Sequence, residues 1–108
     1  MKSLPIEDHD ETPREIVVRL FPTTMLDSVR RIEAHVEAAF ADVDTIDRSH
    51  CVTITLATWV HELDKAGRVD MPAPDVAYIY QAGRIAAEEV ERRLHPRLRA
   101  TIEDLKLA

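Results

Sequence analysis

The sequence holds five histidines and one cysteine, the side chains that most often bind transition metals in proteins. No two of them stand four residues apart, and no Cys-x-x-Cys pair is present. His50 and His61 would share one face of a helix, but eleven residues of helix would separate them by about 16 Å along its axis. Because the ligands of one ion must surround it closely, we expect no metal site and no cofactor.

The groups that could act in catalysis lack the surroundings that catalysis requires. Cys51 lies in an apolar run, which predicts a buried core residue and not a thiolate stabilised by a neighbouring base. The carboxylates of Glu88 and Glu89 stand four residues before Arg92 and Arg93, the spacing of ion pairs on an exposed helix face. With no Gly-rich phosphate loop and no Gly-x-Ser-x-Gly, we expect that the chain is not an enzyme.

An acidic run over residues 42–47 resembles the start of a calcium loop, with carboxylates at Asp42 and Asp44. The fifth position of that loop is Ile46, and Asp47 stands where the sharp turn needs glycine. Thr53 replaces the glutamate that closes such a loop. The run therefore predicts a solvated acidic linker.

Composition limits the classes of partner. The chain of 108 residues has 45% apolar and 31% charged residues and a net charge of −6, which suits one small globular domain and opposes nonspecific binding to nucleic acid or anionic membranes. A single cysteine excludes an intrachain disulfide and favours a reducing compartment. With no signal peptide and no apolar run of membrane-spanning length, we expect a cytoplasmic protein without membrane contact.

The N-terminal third predicts an arm, a strand and a helix. Residues 1–13 carry acids and two prolines, which is typical of a flexible acidic arm. Residues 15–21 alternate as a short strand does, and such a strand needs a partner in the same chain or in a second copy. Thr24 and Asp27 have the spacing of a capping box. Apolar residues then repeat at helical intervals, at Met25, Val29, Ile32, Val36, Ala39 and Val43.

Residues 49–66 fit two periodicities. An alternation over residues 51–57 is typical of a strand, which would offer a partner to residues 15–21. Apolar residues also repeat at intervals of four, three and four, at Val52, Leu56, Trp59 and Leu63. We favour one helix over residues 49–66, because the pattern continues without a break to Gly67, a typical helix stop.

A C-terminal helix is predicted over residues 75–94, and after Pro96 a kinked extension or a separate short helix. The helix over residues 75–94 has small side chains in its middle, around Gly83, which would let another helix cross closely. We expect this helix to present an interface to a partner, with candidate residues Val76, Tyr80, Gly83, Ala87 and Val90. The predicted fold is mainly α, with three to four helices, one short N-terminal β-strand and a dimeric state, in a single domain over residues 14–108.

Residues 14–67 resemble the ribbon-helix-helix transcriptional repressors, through the stretch VVRLFPTTMLDSVRRI and a second, ELDKAGRV, at the end of the next helix. In that family two chains pair their strands into a ribbon that enters the major groove of DNA. The resemblance implies a homodimer in which the strand's outward side chains contact DNA, and the outward residues here would be Glu15, Val17 and Arg19. The candidate DNA-binding residues are Arg14, Val17 and Arg19. In the alternative interpretation, residues 14–32 are a strand and helix that serve only for dimerisation or pairing within the chain.

Two functions therefore remain open from the sequence. We favour a non-catalytic, small acidic regulatory or protein-interaction module that acts as a homo-oligomer, as a homodimer with or without a further protein partner. The alternative is a DNA-binding regulator of the ribbon-helix-helix type, antitoxin-like or an autorepressor. DNA is a partner only in the second case.

Overall fold

The computed structural model describes residues 11–107, and within them it contains five α-helices and one short 3-10 turn but no β-strand. The helices are α1 (Pro13–Leu20), α2 (Leu26–Ala39), α3 (Thr45–Lys65), α4 (Ala73–Glu89) and α5 (Leu94–Leu105), and the 3-10 turn spans Thr23–Met25. The mainly helical prediction is confirmed, whereas the predicted three to four helices and the N-terminal strand are wrong. Most of the arm predicted over residues 1–13 lies outside the described residues.

The segment that was predicted as a strand is α1, and its first turn explains why. Thr12 and Glu15 form a capping box, in which the Glu15 backbone N–H donates to the Thr12 hydroxyl at 3.2 Å and the Thr12 N–H donates to the Glu15 carboxylate at 2.8 Å. Pro13 occupies the first helical position, where no N–H is needed. Ile16 and Val17 are both fully buried, which a helix permits but a strand facing one core does not.

A tight corner joins α1 to α2. Phe21 ends α1 with extended backbone, and its ring packs on Trp59 with 5.3 Å between the ring centroids. Pro22 then leads into the 3-10 turn. The capping box predicted for Thr24 and Asp27 is wrong, because no side chain caps the start of the turn or of α2.

The ambiguous segment is helical throughout, so the alternative strand over residues 51–57 is wrong. The Asp44 carboxylate caps α3 by accepting from the Ile46 N–H at 2.7 Å, which extends the helix into the predicted acidic linker. The Thr55 hydroxyl donates to the Cys51 carbonyl at 2.8 Å within the helix. At the other end Gly67 has a φ of +70°, a left-handed conformation that suits glycine and confirms the predicted helix stop.

The predicted C-terminal helix over residues 75–94 is shorter than expected. α4 ends at Glu89 because Val90 adopts extended backbone with φ −76° and ψ 138°. Pro96 lies in the first turn of α5, where its missing N–H costs no intrahelical hydrogen bond. Of the two alternatives predicted for the tail, the separate short helix is therefore the correct one.

The central helix of the packing is α3, which contacts α1, α2 and α4, while α5 packs against α2. Every helix contributes fully buried or nearly buried apolar side chains to a common cluster. Beside the α2–α5 contact, the Arg97 guanidinium pairs with Asp42, just after the end of α2, at 3.0 Å and donates to the Ala39 carbonyl at 2.9 Å. The same guanidinium lies 4.8 Å from the centre of the Phe40 ring.

Candidate functional site

The candidate site is an apolar groove between α3, α4 and α5. Its larger part is a shallow depression of about 600 Å³. The apolar side chains that line it come from three helices and are Ile54, Ala87, Leu98 and Ile102. Three polar side chains of α5 form its edge, His95, Arg99 and Glu103.

A second depression of about 280 Å³ continues the first one, because both are lined by Ile54. It runs between α3 and α4, past Ala57 and Tyr80. The Tyr80 hydroxyl donates to Asp64 at 3.1 Å, and the His61 ring meets the Tyr80 ring edge-on at 5.5 Å. We call the two depressions together the interhelical groove.

The interhelical groove follows from the directions of the helices. α3 and α4 approach closely at Gly83, and α5 turns away from α4 after Val90 to pack on α2. α5 therefore leaves one edge of α3 only partly covered, at the half-buried Ile54. Small side chains at Ala57 and Ala87 deepen the depression, since neither reaches across it.

The interface candidates of the C-terminal helix are divided between the groove and the core. Tyr80, Gly83 and Ala87 line the interhelical groove. Gly83 is nevertheless buried against α3 of the same chain, so the close helix crossing that the sequence predicted is intramolecular. Val90 is buried in the core, and Val76 is half-buried and does not line the groove.

Sequence reasoning missed the three groove residues with the largest apolar side chains, Ile54, Leu98 and Ile102. Ile54 stands apart from the buried stripe of α3, and an apolar residue off the stripe was the available signal. For Leu98 and Ile102 no such signal exists, because their stripe shows only that α5 buries one face.

The candidate DNA-contacting residues lie on a helix and are engaged within the chain. Val17 is fully buried, and Arg14 pairs with Glu33 of α2. Arg19 pairs with Glu11 at 2.8 Å and lies 3.9 Å from Asp75, and the hydrogen bond to Glu11 is the main cause that raises its pKa. Phe21 points into the core. The ribbon that the resemblance implied would need a strand at residues 15–21, where the structure has α1.

Other reactive groups do not assemble into a site. Within residues 11–107, no three histidine, cysteine or acidic side chains are grouped as metal ligands. Cys51 is fully buried, and burial raises the pKa of its thiol, with a further contribution from Asp47. None of the described helices is long and apolar enough to cross a bilayer.

A polar cleft of about 360 Å³ opens between α1, α2 and α3. Arg14 and Glu33 pair across it, and Arg48 reaches it from the first turn of α3. One guanidinium nitrogen of Arg48 donates to the Val43 carbonyl at 2.9 Å, while its buried Nε has no hydrogen-bond partner in the described residues. Because that nitrogen is enclosed by protein, it offers no open contact to a ligand.

Comparison of the chain with protein-family models, with curated proteins and with solved structures finds no match.

Proposed function

We propose that this chain is a non-catalytic regulatory or protein-interaction module that acts as a homo-oligomer, and that the interhelical groove is its contact surface. The observation that carries the proposal is a pair of half-buried isoleucines that line the groove, Ile54 and Ile102, beside the small Ala87 and above the buried Leu98. Covering such a surface removes apolar area from water, which contributes roughly 25 cal/mol per Å².

The groove suits a macromolecular surface better than a small substrate. It is shallow, it is built from helix faces, and the polar side chains of α5 that line it are exposed while its isoleucines are half-buried. This arrangement of an apolar centre and a polar rim is typical of protein–protein interfaces. Catalytic sites usually enclose the substrate and converge several polar groups on it.

Sedimentation equilibrium of the whole chain tests the proposal. We expect a mass that rises with concentration to twice that of one chain, 12.3 kDa. Ile102→Asp should weaken this association, because a carboxylate would be buried at the contact. The matched control is Ile85→Asp, at an isoleucine of α4 that is 43% exposed and does not line the groove.

A mass of one chain at every concentration would overturn self-association. Equal association by both variants would show that the contact lies elsewhere on the surface. Circular dichroism of each variant separates loss of the contact from loss of the fold.

A further inference from the structure

We infer that the partner at the interhelical groove is a second copy of this chain, with the two α5 helices antiparallel about a two-fold axis. Resting on the proposed self-association, this inference adds the orientation of the copies and the residues that set it. Its basis is the charge pattern on the exposed edge of α5.

Arg99 and Glu103 stand one helical turn apart on the edge of the groove and carry opposite charges. Among residues 11–107 neither side chain has a hydrogen bond or an ion pair, whereas the neighbouring Arg97 is paired with Asp42. In a contact between two copies, the Arg99 of one copy can therefore pair with the Glu103 of the other.

The symmetry of a dimer then selects one orientation. In a two-fold interface, if residue i contacts residue j of the other copy, residue j contacts residue i. Antiparallel α5 helices therefore form two equivalent ion pairs, because Arg99 meets the partner's Glu103 and Glu103 meets the partner's Arg99. Parallel helices would instead bring Arg99 against the partner's Arg99, which repels.

The same register brings apolar surface to the centre of the contact. When Arg99 faces the partner's Glu103, the axis crosses α5 at the level of Thr101, midway between the two charges along the helix, while the Thr101 side chain itself is buried on the far side of α5. Ile102 and the partner's Ile102 then lie about 3 Å apart along the helix direction, on either side of the axis. The ion pairs flank this apolar centre, as a polar rim does in other interfaces.

Charge exchange at these two positions tests the orientation. Arg99→Glu places carboxylates opposite each other in both pairs, and Glu103→Arg does the same with guanidinium groups. We expect each single variant to raise the dimer dissociation constant about tenfold, and the double variant Arg99→Glu/Glu103→Arg to restore it. An equimolar mixture of the two single variants should form a heterodimer, because every pair is then of opposite charge.

The control is Arg30→Glu, the same charge reversal on α2 at a residue that does not line the groove. Sedimentation velocity gives the dissociation constants, and circular dichroism confirms that each variant is folded. An unchanged dimer dissociation constant in both single variants would overturn the antiparallel contact but would not contradict self-association. A parent chain that stays a monomer would overturn both proposals.

Discussion

Gly83 of α4 lies so close to Ala57 of α3 that a Cβ on Gly83 would stand 2.5 Å from the Ala57 Cβ. No pair of carbon side chains tolerates that distance, so the close crossing of α3 and α4 depends on this glycine. The interhelical groove lies beside the crossing, because two helices that touch this closely leave little side-chain bulk between them.

The crossing predicts that Gly83→Ala destabilises the fold, although alanine is the better helix former. The added methyl group must push the helices apart, and overpacking of this kind costs about 1–3 kcal/mol. Urea denaturation measures the loss. Ala57→Gly in the same chain removes the opposing methyl group, so the double variant should regain part of the stability; no regain would mean that the two atoms do not meet.

The start of α1 predicts that Thr12→Ala lowers the free energy of unfolding by about 1 kcal/mol, the usual contribution of an N-cap. Thr24→Ala is the matched control, since Thr24 caps no helix in the structure. Equilibrium denaturation of both variants checks this prediction. A larger loss for Thr24→Ala would support the helix start that the sequence alone indicated.

The corner between α1 and α2 predicts a large effect at Phe21, which is 6% exposed and packs on Trp59. Phe21→Ala should cost about 3–5 kcal/mol, because it leaves a cavity in the core. Trp59 is the one tryptophan of the chain, so its emission reports the change directly and should shift to the red. Val18→Ala, at a residue of α1 that is 37% exposed, should leave both quantities nearly unchanged.

The contact between α2 and α5 predicts a pH dependence. The hydrogen bond from Arg97 lowers the pKa of Asp42 below its ordinary value of 3.8. Because the pKa is lower in the folded chain than in the unfolded one, the contribution to stability is present above the unfolded pKa and is lost as the pH falls through the folded one. Asp42→Asn should therefore be less stable than the parent at neutral pH.

That difference should shrink as the pH falls through about 4 and below, where the parent carboxylate also becomes protonated. Thermal denaturation over a pH series measures it. Asp104→Asn is the control, at a carboxylate of α5 without an ion pair to another described residue. A difference between Asp42→Asn and the parent that is constant over the whole series would contradict the assigned ion pair.

Local sequence patterns determined α3 correctly and α1 incorrectly, for one physical reason. Over a long segment such as residues 45–65, the helical period repeats enough times to be distinguished from a chance alternation, and Gly67 marks the end of the helix. Residues 15–21 are too few to separate a period of two from one of 3.6, and their β-branched side chains favour a strand. The capping pair of Thr12 and Glu15 was the signal that could have decided this segment as helical.

By itself the sequence determined that the fold is mainly helical, which faces of α2 and α3 are buried and where α3 stops, because helical periodicity and capping act over a few residues. Only the tertiary structure decided where the groove lies. Its position depends on the turn at Val90 and on the packing of α5 against α2, where Arg97 pairs with Asp42, 55 residues away. Contacts between such distant residues form only when whole helices pack, so no local pattern specifies them.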